Sequence, residues 1–389
     1  MANDGNFLLY SLLIVYYNTD MGLSKALLGI GAVGSNLLSG LMSGPIGILA
    51  QKTNRIGHLI ALGISIEGIS ALMFSLPFFY HYLTYWFIFL SAGVLGIGQA
   101  FYHPLGASMI NETYGSDRAP RYLGINGSFG SIGRSIFPII VGSFVLIFGY
   151  GHGIQYFGII ALALSLIIFT GLRPLSTGIA PEDRKNNSEV SHASTSLGKY
   201  RFFIWYLTAV VFVRSAFYVG STTYLADYIN SIVNSDFLTS LILTVSFIPP
   251  IIGQPYFGNM MTRKGGRYVI LLTGYVSVIS FAILLLVRND ILLTAVLGLY
   301  AFVAFTGFPV LLGYVGQRVP KHILPFSNSI VWGVGNTIGS SAGAGIMVAL
   351  LQFTTLKNSF WILLILGVAS MIAFQFEPVR NRKMEEIRY

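Results

Sequence analysis

Long apolar stretches recur along the whole chain, and they limit the structures it can adopt more than any other feature. A hydrocarbon core of about 30 Å is crossed by a helix of roughly 20 residues. Apolar runs of about that length occur twelve times, at residues 2–19, 25–50, 57–78, 83–110, 120–149, 152–173, 202–229, 236–260, 267–287, 291–316, 324–353 and 358–377. They lack the apolar–polar alternation of a membrane barrel strand. The sequence therefore predicts an all-α membrane protein with twelve transmembrane helices.

The composition agrees with a chain that faces lipid over most of its length. Hydrophobic residues make up 54% of the sequence and charged residues 10%, with a mean hydropathy of +0.71. Soluble domains carry roughly 25% charged residues. The absence of cysteine excludes disulfides, thiolate metal sites and thiol catalysis. The first apolar run has neither a basic flank nor a small-residue cleavage site, so we expect the first helix to be retained.

Basic residues are distributed unevenly between alternate loops. Eighteen of the 23 fall in the loops after the even-numbered helices, against three in the other loops, Lys25, Arg288 and Lys357. Because cytoplasmic loops carry the excess of Lys and Arg, the sequence predicts a multi-pass protein of the cell membrane with both termini in the cytoplasm. This topology and contact with the anionic headgroups of the lipid bilayer explain the net charge of +9, and no nucleic-acid partner is expected.

A polar stretch near the middle of the chain has the composition of a flexible linker. The sequences on its two sides echo each other at offsets of about 206 to 211 residues, so that Gly96 corresponds to Gly307 and Gly133 to Gly339. Parallel repeats of this kind occur in transporter folds. We therefore predict two pseudo-symmetric six-helix bundles, residues 1–173 and 201–377, a cytoplasmic linker, residues 174–200, and a cytoplasmic tail, residues 378–389.

Two loops resemble a known family signature. The loops after the second and eighth helices are similar to the G-x-x-x-D-R-x-G-R-R signature of the major facilitator superfamily, with Gln51 and Thr262 at its acidic position. The resemblance extends over essentially the whole chain and implies the major facilitator fold and transport by alternating access. It also implies that these cytoplasmic loops take part in gating. The residues concerned are Gly47, Lys52, Arg55, Gly258, Arg263 and Arg267.

Within that superfamily, the chain resembles drug exporters of the fosmidomycin-resistance type. The similarity lies in Asn-Asp-Gly at 3–5, Phe-Tyr-His-Pro at 101–104, Gly-Arg at 133–134 and Arg-Ser at 214–215. The sequence departs from that type at Phe137, where these exporters usually have glycine. The resemblance implies an antiporter active in efflux and drug resistance. We expect a monomer without a cofactor, whose partners are a small-molecule substrate and protons.

Two basic residues, Arg134 and Arg214, remain inside predicted helices after every loop has been assigned. A charge at a helix centre costs about 2.5 to 3.5 kcal/mol on insertion scales, so each should face a cavity or a partner. We predict that they supply the positive charge of a cavity between the halves, with structural arginines bonded to carbonyls as the alternative. The repeat places Asp4 opposite Arg214, which suggests an ion pair between the halves or two side chains that snorkel to the interface.

Further polar side chains inside the helices are candidates for substrate binding or coupling. Glu67 could carry a coupling proton, or it could be a neutral carboxyl bonded to a neighbour. His103 could titrate near physiological pH, or it could bond backbone groups freed by Pro104. The neutral candidates fit cavity walls and hydrogen bonds between helices equally well. They are Gln99, Asn126, Gln254 and Asn336.

No motif for membrane-embedded catalysis or for ATP hydrolysis occurs in the sequence. It contains neither a H-E-x-x-H pair nor a Walker-type phosphate loop, so we expect no enzyme activity. A channel would leave the internal repeat and the linker unexplained. The sequence favours a secondary transporter that uses alternating access, a proton-coupled exporter of a small amphipathic or anionic compound. The alternative is a gradient-coupled importer of a sugar or organic anion.

The predicted topology can be tested with reporter fusions. A reporter fused after Tyr389 and another inserted at Asn187 should both report the cytoplasm. Both positions lie in segments rich in basic residues, which the positive-inside rule places in the cytoplasm. Fusions at Arg288 should report the other side of the membrane and serve as the control. An external signal at Asn187 or Tyr389 would contradict the count of twelve helices.

Overall fold

The structure, a computed structural model, describes residues 1–53, 55–172, 190–319, 327–328 and 330–377. Within these ranges the chain is helical between short turns and contains no strand. The α-helices are Ala2–Gly5, Leu9–Met21, Lys25–Thr53, Ile56–Ser75, Thr84–Leu172, Val190–Thr223, Leu225–Val233, Asp236–Ser246, Pro249–Lys264, Gly266–Leu284, Asp290–Ala304, Gly307–Arg318, Gly339–Leu350 and Leu356–Gln375. Short 3₁₀ turns occupy Asn6–Leu8, Leu76–Phe78 and His81–Leu83, and Ile330–Ile338 is π-helical.

These helices give the described chain twelve crossings, called spans 1 to 12 in chain order. Spans 1 to 3 are residues 2–21, 25–53 and 56–75, spans 4 to 6 lie within 84–172, and spans 7 to 12 are residues 190–233, 236–264, 266–284, 290–318, 330–350 and 356–375. Eight segments of the described residues are long and apolar enough to cross a membrane, and one of them, Tyr122–Leu172, has 51 residues and crosses twice. The other three crossings are spans 1, 10 and 11, which are interrupted helices. The predicted tail and residues 174–189 of the predicted linker lie outside the described residues. The helix of span 7 begins at Val190, within the predicted linker.

Spans 4, 5 and 6 all belong to the helix Thr84–Leu172. Its 89 residues would extend about 130 Å if straight, at 1.5 Å per residue, so the chain must fold back. It turns at Gly149, whose φ of 77° lies in the left-handed region that glycine adopts without strain. Beyond this turn Gly153 packs against the backbone of Phe144. Spans 5 and 6 are therefore antiparallel neighbours.

Spans 1, 10 and 11 are each interrupted within the membrane. The 3₁₀ turn Asn6–Leu8 interrupts span 1, and residues 305–306 separate the two helices of span 10. Span 11 is π-helical over Ile330–Ile338 before it continues as an α-helix. Such interruptions are tolerated at membrane depth where protein or a cavity surrounds them, and π-helical turns are frequent at functional sites. The interruptions therefore indicate where the functional site lies.

The glycine repeat has the same packing role in both halves. A side chain at Gly133 in span 5 would collide with the carbonyl oxygen of Met1 in span 1. Its counterpart Gly339 in span 11 would collide with the carbonyl oxygen of Phe212 in span 7. Glycine lets two helix backbones approach closely. Spans 1 and 5 thus pack as spans 7 and 11 do, which confirms the two pseudo-symmetric bundles.

The two halves are joined at the end of the protein that holds the turns after spans 1, 5 and 7. We call this the distal end, and the loops after spans 2, 8 and 10 lie at the other end. Lys25 Nζ lies 2.7 Å from Asp227 Oδ1, and Tyr224 donates to the carbonyl oxygen of Lys25 at 3.0 Å. Tyr150 donates to Asp236 Oδ2 at 2.6 Å. These contacts close the distal end between the two halves.

Closure of the distal end can be tested by cross-linking, since the native chain has no cysteine. A Cβ placed at Gly142 in span 5 would lie 2.5 Å from Cβ of Ser240 in span 8. The two Cβ atoms of a disulfide are about 3.8 Å apart, so the two helices need to separate only slightly to form one. We expect Gly142→Cys with Ser240→Cys to cross-link under mild oxidation. Ile136→Cys with Ser240→Cys is the control, because Ile136 is exposed on the surface. Equal cross-linking of both pairs, or of neither, would contradict this arrangement.

Candidate functional site

A cluster of charged side chains centres on Asp4, which is 8% exposed. Arg134 Nη1 donates to Asp4 Oδ2 at 3.2 Å. The other carboxylate oxygen accepts from Asn3 Nδ2 at 3.0 Å and lies 3.8 Å from His103 Nε2. Spans 1, 4 and 5 each contribute to this cluster. Three candidates from the sequence, Asp4, His103 and Arg134, therefore meet at one place.

Small residues of span 5 make room for this cluster. A side chain at Gly130 would collide with the Asp4 carboxylate, so the ion pair requires glycine there. Ser131 lies one helical turn before Arg134 and accepts from Arg134 Nη2 at 3.0 Å. Residues three apart share one face of a helix, so Ser131 and Arg134 both point toward span 1. The serine holds the guanidinium beside Asp4.

Gln254 connects this cluster to the second half. It is 2% exposed, and its Nε2 donates to Ser131 Oγ at 3.0 Å and to the carbonyl oxygen of Phe305 at 3.4 Å. The guanidinium of Arg134 lies 5.9 Å from the centroid of the Phe305 ring. The interruption in span 10 thus brings Phe305 against a residue of span 5. Hydrogen bonds run from Asp4 through Arg134, Ser131 and Gln254 into the second half.

His103 is the side chain through which the cluster is exposed. Its side chain is 39% exposed, whereas those of Asp4 and Arg134 are 10% and 11% exposed. Beside it, Tyr102 donates to Asn126 Oδ1 at 2.6 Å, and the His103 and Trp332 rings lie 6.3 Å apart. His103 is therefore the most exposed of the three charged or titratable side chains that meet in this cluster.

Glu67 lies deeper in the same half and is fully buried. Its Oε2 accepts a hydrogen bond from Asn6 Nδ2, and its Oε1 has no partner among the described residues. A side chain at Gly98 in span 4 would crowd it. No cation lies within ion-pair distance in the described part of the chain. This geometry favours the alternative of a carboxyl bonded to a neighbour.

Arg214 stands apart from the Asp4 cluster. It is 6% exposed, and its guanidinium lies 4.4 Å from the centroid of the Tyr218 ring. The ion pair between Asp4 and Arg214 that the repeat suggested is absent among the described contacts, because Asp4 pairs with Arg134 in its own half. The two arginines therefore have different surroundings, since Arg134 is paired with a carboxylate and Arg214 has no acidic partner among the described residues.

The remaining candidates are polar groups and loop residues. Asn336 Oδ1 in the π-helical segment accepts from Ser215 at 2.9 Å, and Gln99 is half-buried without a hydrogen bond to the described residues. Among the loop residues, Gly47 and Gly258 are half-buried, Arg55 and Arg263 are exposed, and the side chain of Lys52 lies outside the description. Arg267 donates to the carbonyl oxygen of Gln375 at 2.7 Å.

A second ionic cluster lies near that loop, at the end opposite the distal end. Arg318 Nη2 lies 3.8 Å from Glu377 Oε2 and donates to Tyr314 at 2.8 Å, and Tyr314 in turn donates to Glu377. Burial raises the pKa of Glu377, whereas its bond from Tyr314 and the charge of Arg318 oppose that rise. The signature loop has Thr262 at its acidic position, and Glu377 supplies a carboxylate near it from the end of span 12.

Sequence reasoning missed several residues of this arrangement. Lys25 was assigned to a loop, and Asp227 was passed over, although it is a carboxylate inside an apolar run. That charge within a predicted span was the signal that could have found it. Ser131 and Phe305 carried no signal, because a serine and a phenylalanine are ordinary residues of a membrane helix. Their roles depend on which helices meet.

Two bundles of six helices, joined at one end and sharing a buried polar cluster, define a membrane transporter. The sequence profile of the Major Facilitator Superfamily matches residues 1–238 and 221–387. The chain belongs to this superfamily. No curated protein matches the sequence.

Solved structures support the same fold. A crystal structure of a mutant peptide transporter POT in complex with alafosfalin matches with a TM-score of 0.66 and 17% identity, over 96% of this chain and 90% of that one. A second structure of the mutant transporter matches with the same TM-score, the same coverage and 16% identity. At these identities the likeness concerns the fold.

The Asp4–Arg134 pair can be tested by comparing the stability of a variant that leaves one charge unpaired with that of a variant that removes both charges. Removing one partner of a buried pair costs about 3–5 kcal/mol, because the other charge is left unpaired. We expect Arg134→Met to lower the melting temperature in detergent by several degrees. The double variant Asp4→Asn with Arg134→Met leaves no unpaired charge and should regain most of that loss. Arg288→Met, at an exposed position, is the control. A double variant less stable than Arg134→Met would show that the two residues do not act as a pair.

Proposed function

We propose that this transporter is a proton-coupled exporter of a small amphipathic or anionic compound, and that Asp4 is its coupling carboxylate. The observation that carries the proposal is the contact of Asp4 with Arg134 and with the half-exposed His103. A carboxylate that faces both a buried cation and a titratable group can exchange protons with water and change the charge of its surroundings. Both are needed to couple proton movement to a change of state.

The coupling follows from the alternatives open to Arg134. When Asp4 is ionised, Arg134 is neutralised by it and held by Ser131. When a proton reaches Asp4 through His103, the pair loses its attraction and Arg134 is free to move away from Asp4. Because Ser131 also bonds Gln254, movement of Arg134 alters a contact between the two halves. Protonation thereby biases the halves toward one of their two arrangements.

The surroundings of the cluster support a substrate with an apolar part. Phe305 lies edge-on to Phe7 at 5.6 Å and tilted against Phe247 at 4.9 Å, so aromatic rings from three spans meet beside Arg134. Rings next to a cation suit a molecule that is apolar at one end and charged at the other. One solved structure of similar fold is a peptide transporter POT in complex with alafosfalin, which supports binding of a compound by this fold.

The rest of the proposal concerns direction and setting. Efflux and drug resistance rest on the motifs at 3–5, 101–104 and 133–134, which contain Asp4, His103 and Arg134 of the Asp4 cluster. We propose a monomer in the cell membrane with both termini in the cytoplasm, in contact with lipid and without a cofactor. A gradient-coupled importer of a sugar or organic anion is the second candidate. Growth inhibition screens in expressing cells, followed by uptake into inside-out and right-side-out vesicles, separate the two directions.

Proton coupling can be tested with Asp4→Asn in reconstituted vesicles. We expect accumulation of a compound found in the growth screen to follow an imposed pH gradient, and a protonophore to abolish it. In Asp4→Asn, gradient-driven accumulation should fall at least tenfold, because the amide cannot release a proton. Exchange of labelled for unlabelled compound should persist, since it needs no net proton movement.

Asp290→Asn is the matched control, because Asp290 is an exposed carboxylate at a helix start. It should behave like the native protein in both assays. Accumulation that survives the protonophore, or full gradient-driven transport by Asp4→Asn, would contradict proton coupling at Asp4.

A further inference from the structure

Arg214 is a buried cation without an acceptor. It is 6% exposed, and none of its nitrogens makes a hydrogen bond or ion pair with the described residues. Its Nε is enclosed and unpaired. Buried polar groups are nearly always hydrogen-bonded, and a charge left unpaired in a membrane protein costs several kcal/mol. A purely structural arginine would bond carbonyls or a carboxylate, as Arg134 does with Asp4. Arg214 therefore lacks, among the described residues, the hydrogen-bond acceptor that a buried guanidinium requires.

A second source of positive potential lies beside it. The helix Gly307–Arg318 begins at the interruption in span 10, and a Cβ placed at Gly307 would lie 3.2 Å from Nη1 and 3.3 Å from Nη2 of Arg214. The first N–H groups of a helix lack intrahelical acceptors and carry about half a positive charge. A guanidinium and a helix N-terminus repel each other unless an anion lies between them. Their convergence is the arrangement of an anion site.

The geometry around Arg214 also selects the kind of anion. The ring of Tyr218 covers the guanidinium at 4.4 Å, and Tyr218 is itself fixed by a hydrogen bond with Ser277. Stacking leaves the edge of the guanidinium, with its forked donors, for a planar or tetrahedral oxyanion. Gly307 keeps that edge free of side-chain atoms. Phe305, two residues earlier, faces Arg134 across the interruption in span 10.

We infer that Arg214 and the start of the helix Gly307–Arg318 form a subsite for an oxyanion group, a carboxylate or phosphate, of the transported compound. The inference rests on the proposed transport function and names the substrate class. The apolar part of the compound lies toward Phe305, and its oxyanion binds Arg214. The Asp4 cluster and this subsite then occupy the two sides of the span 10 interruption, one for protons and one for substrate.

Binding to purified protein in lipid nanodiscs tests the subsite without any gradient. The probes are benzoate and phenyl phosphate, with benzamide as the uncharged match and chloride at equal ionic strength. We expect both oxyanions to raise the melting temperature and to bind measurably by calorimetry, with no effect of benzamide. Arg214→Met should lower the affinity for benzoate at least tenfold, and Arg214→Lys should recover part of it, because lysine keeps the charge without the fork.

Gly307→Ala provides a second variant that keeps Arg214. Its methyl group would crowd the guanidinium edge, so affinity for benzoate should fall while the fold is retained. Arg288→Met is the control for loss of an exposed arginine. Benzoate binding that is unchanged in both Arg214→Met and Gly307→Ala overturns the subsite. Stabilisation by chloride equal to that by benzoate also overturns it, since it shows a halide site only.

The assay separates this inference from the coupling proposal. In the Asp4→Asn background, Arg214→Met should still lower the affinity for benzoate at least tenfold, because the subsite depends on Arg214 and not on Asp4. Loss of coupling with retained benzoate binding would leave the subsite standing. Normal proton coupling combined with benzoate binding that is insensitive to Arg214 would remove the subsite and leave the coupling proposal intact.

Discussion

The buried ion pair between Asp4 and Arg134 is the interaction on which the site depends. Within a bilayer neither charge can be left to water, so each fixes the position of the other. Their contact at 3.2 Å requires spans 1 and 5 to approach closely, which glycines at 130 and 133 permit. Ser131 then accepts a hydrogen bond from a second nitrogen of the guanidinium, and it also accepts one from Gln254. One electrostatic requirement thus orders residues from both halves.

The interrupted spans also depend on polar groups around them. A membrane helix satisfies its own backbone, so an interruption survives only where other groups or a polar space replace the lost bonds. Spans 1, 10 and 11 are interrupted close to Asp4, Gly307 and Asn336. The interruption in span 10 presents Phe305 to one arginine and a helix start to the other. These three interruptions therefore lie close to polar or charged side chains, or to the helix start at Gly307.

The contacts between the halves combine polar bonds with apolar packing. One apolar cluster contains residues of both halves, and Gly29 and Gly142 let spans of the two halves approach closely. Between the halves, at the distal end, several contacts are single polar bonds, such as Lys25 with Asp227 and Tyr150 with Asp236. In transporter folds of this kind one bundle rocks against the other, so both the polar bonds and the apolar packing at this end must separate.

The sequence determined the number of crossings and the division into two halves, because the length of apolar runs and the internal repeat depend only on the order of residues. It also identified Asp4, His103, Arg134 and Arg214, since charges in apolar runs are costly and therefore conspicuous. Only the tertiary structure decided the pairing. Asp4 meets Arg134 and not Arg214 because helix rotation, depth and the space left at Gly130 set which side chains touch. Lys25 and Asp227 pair for the same reason, across the two halves.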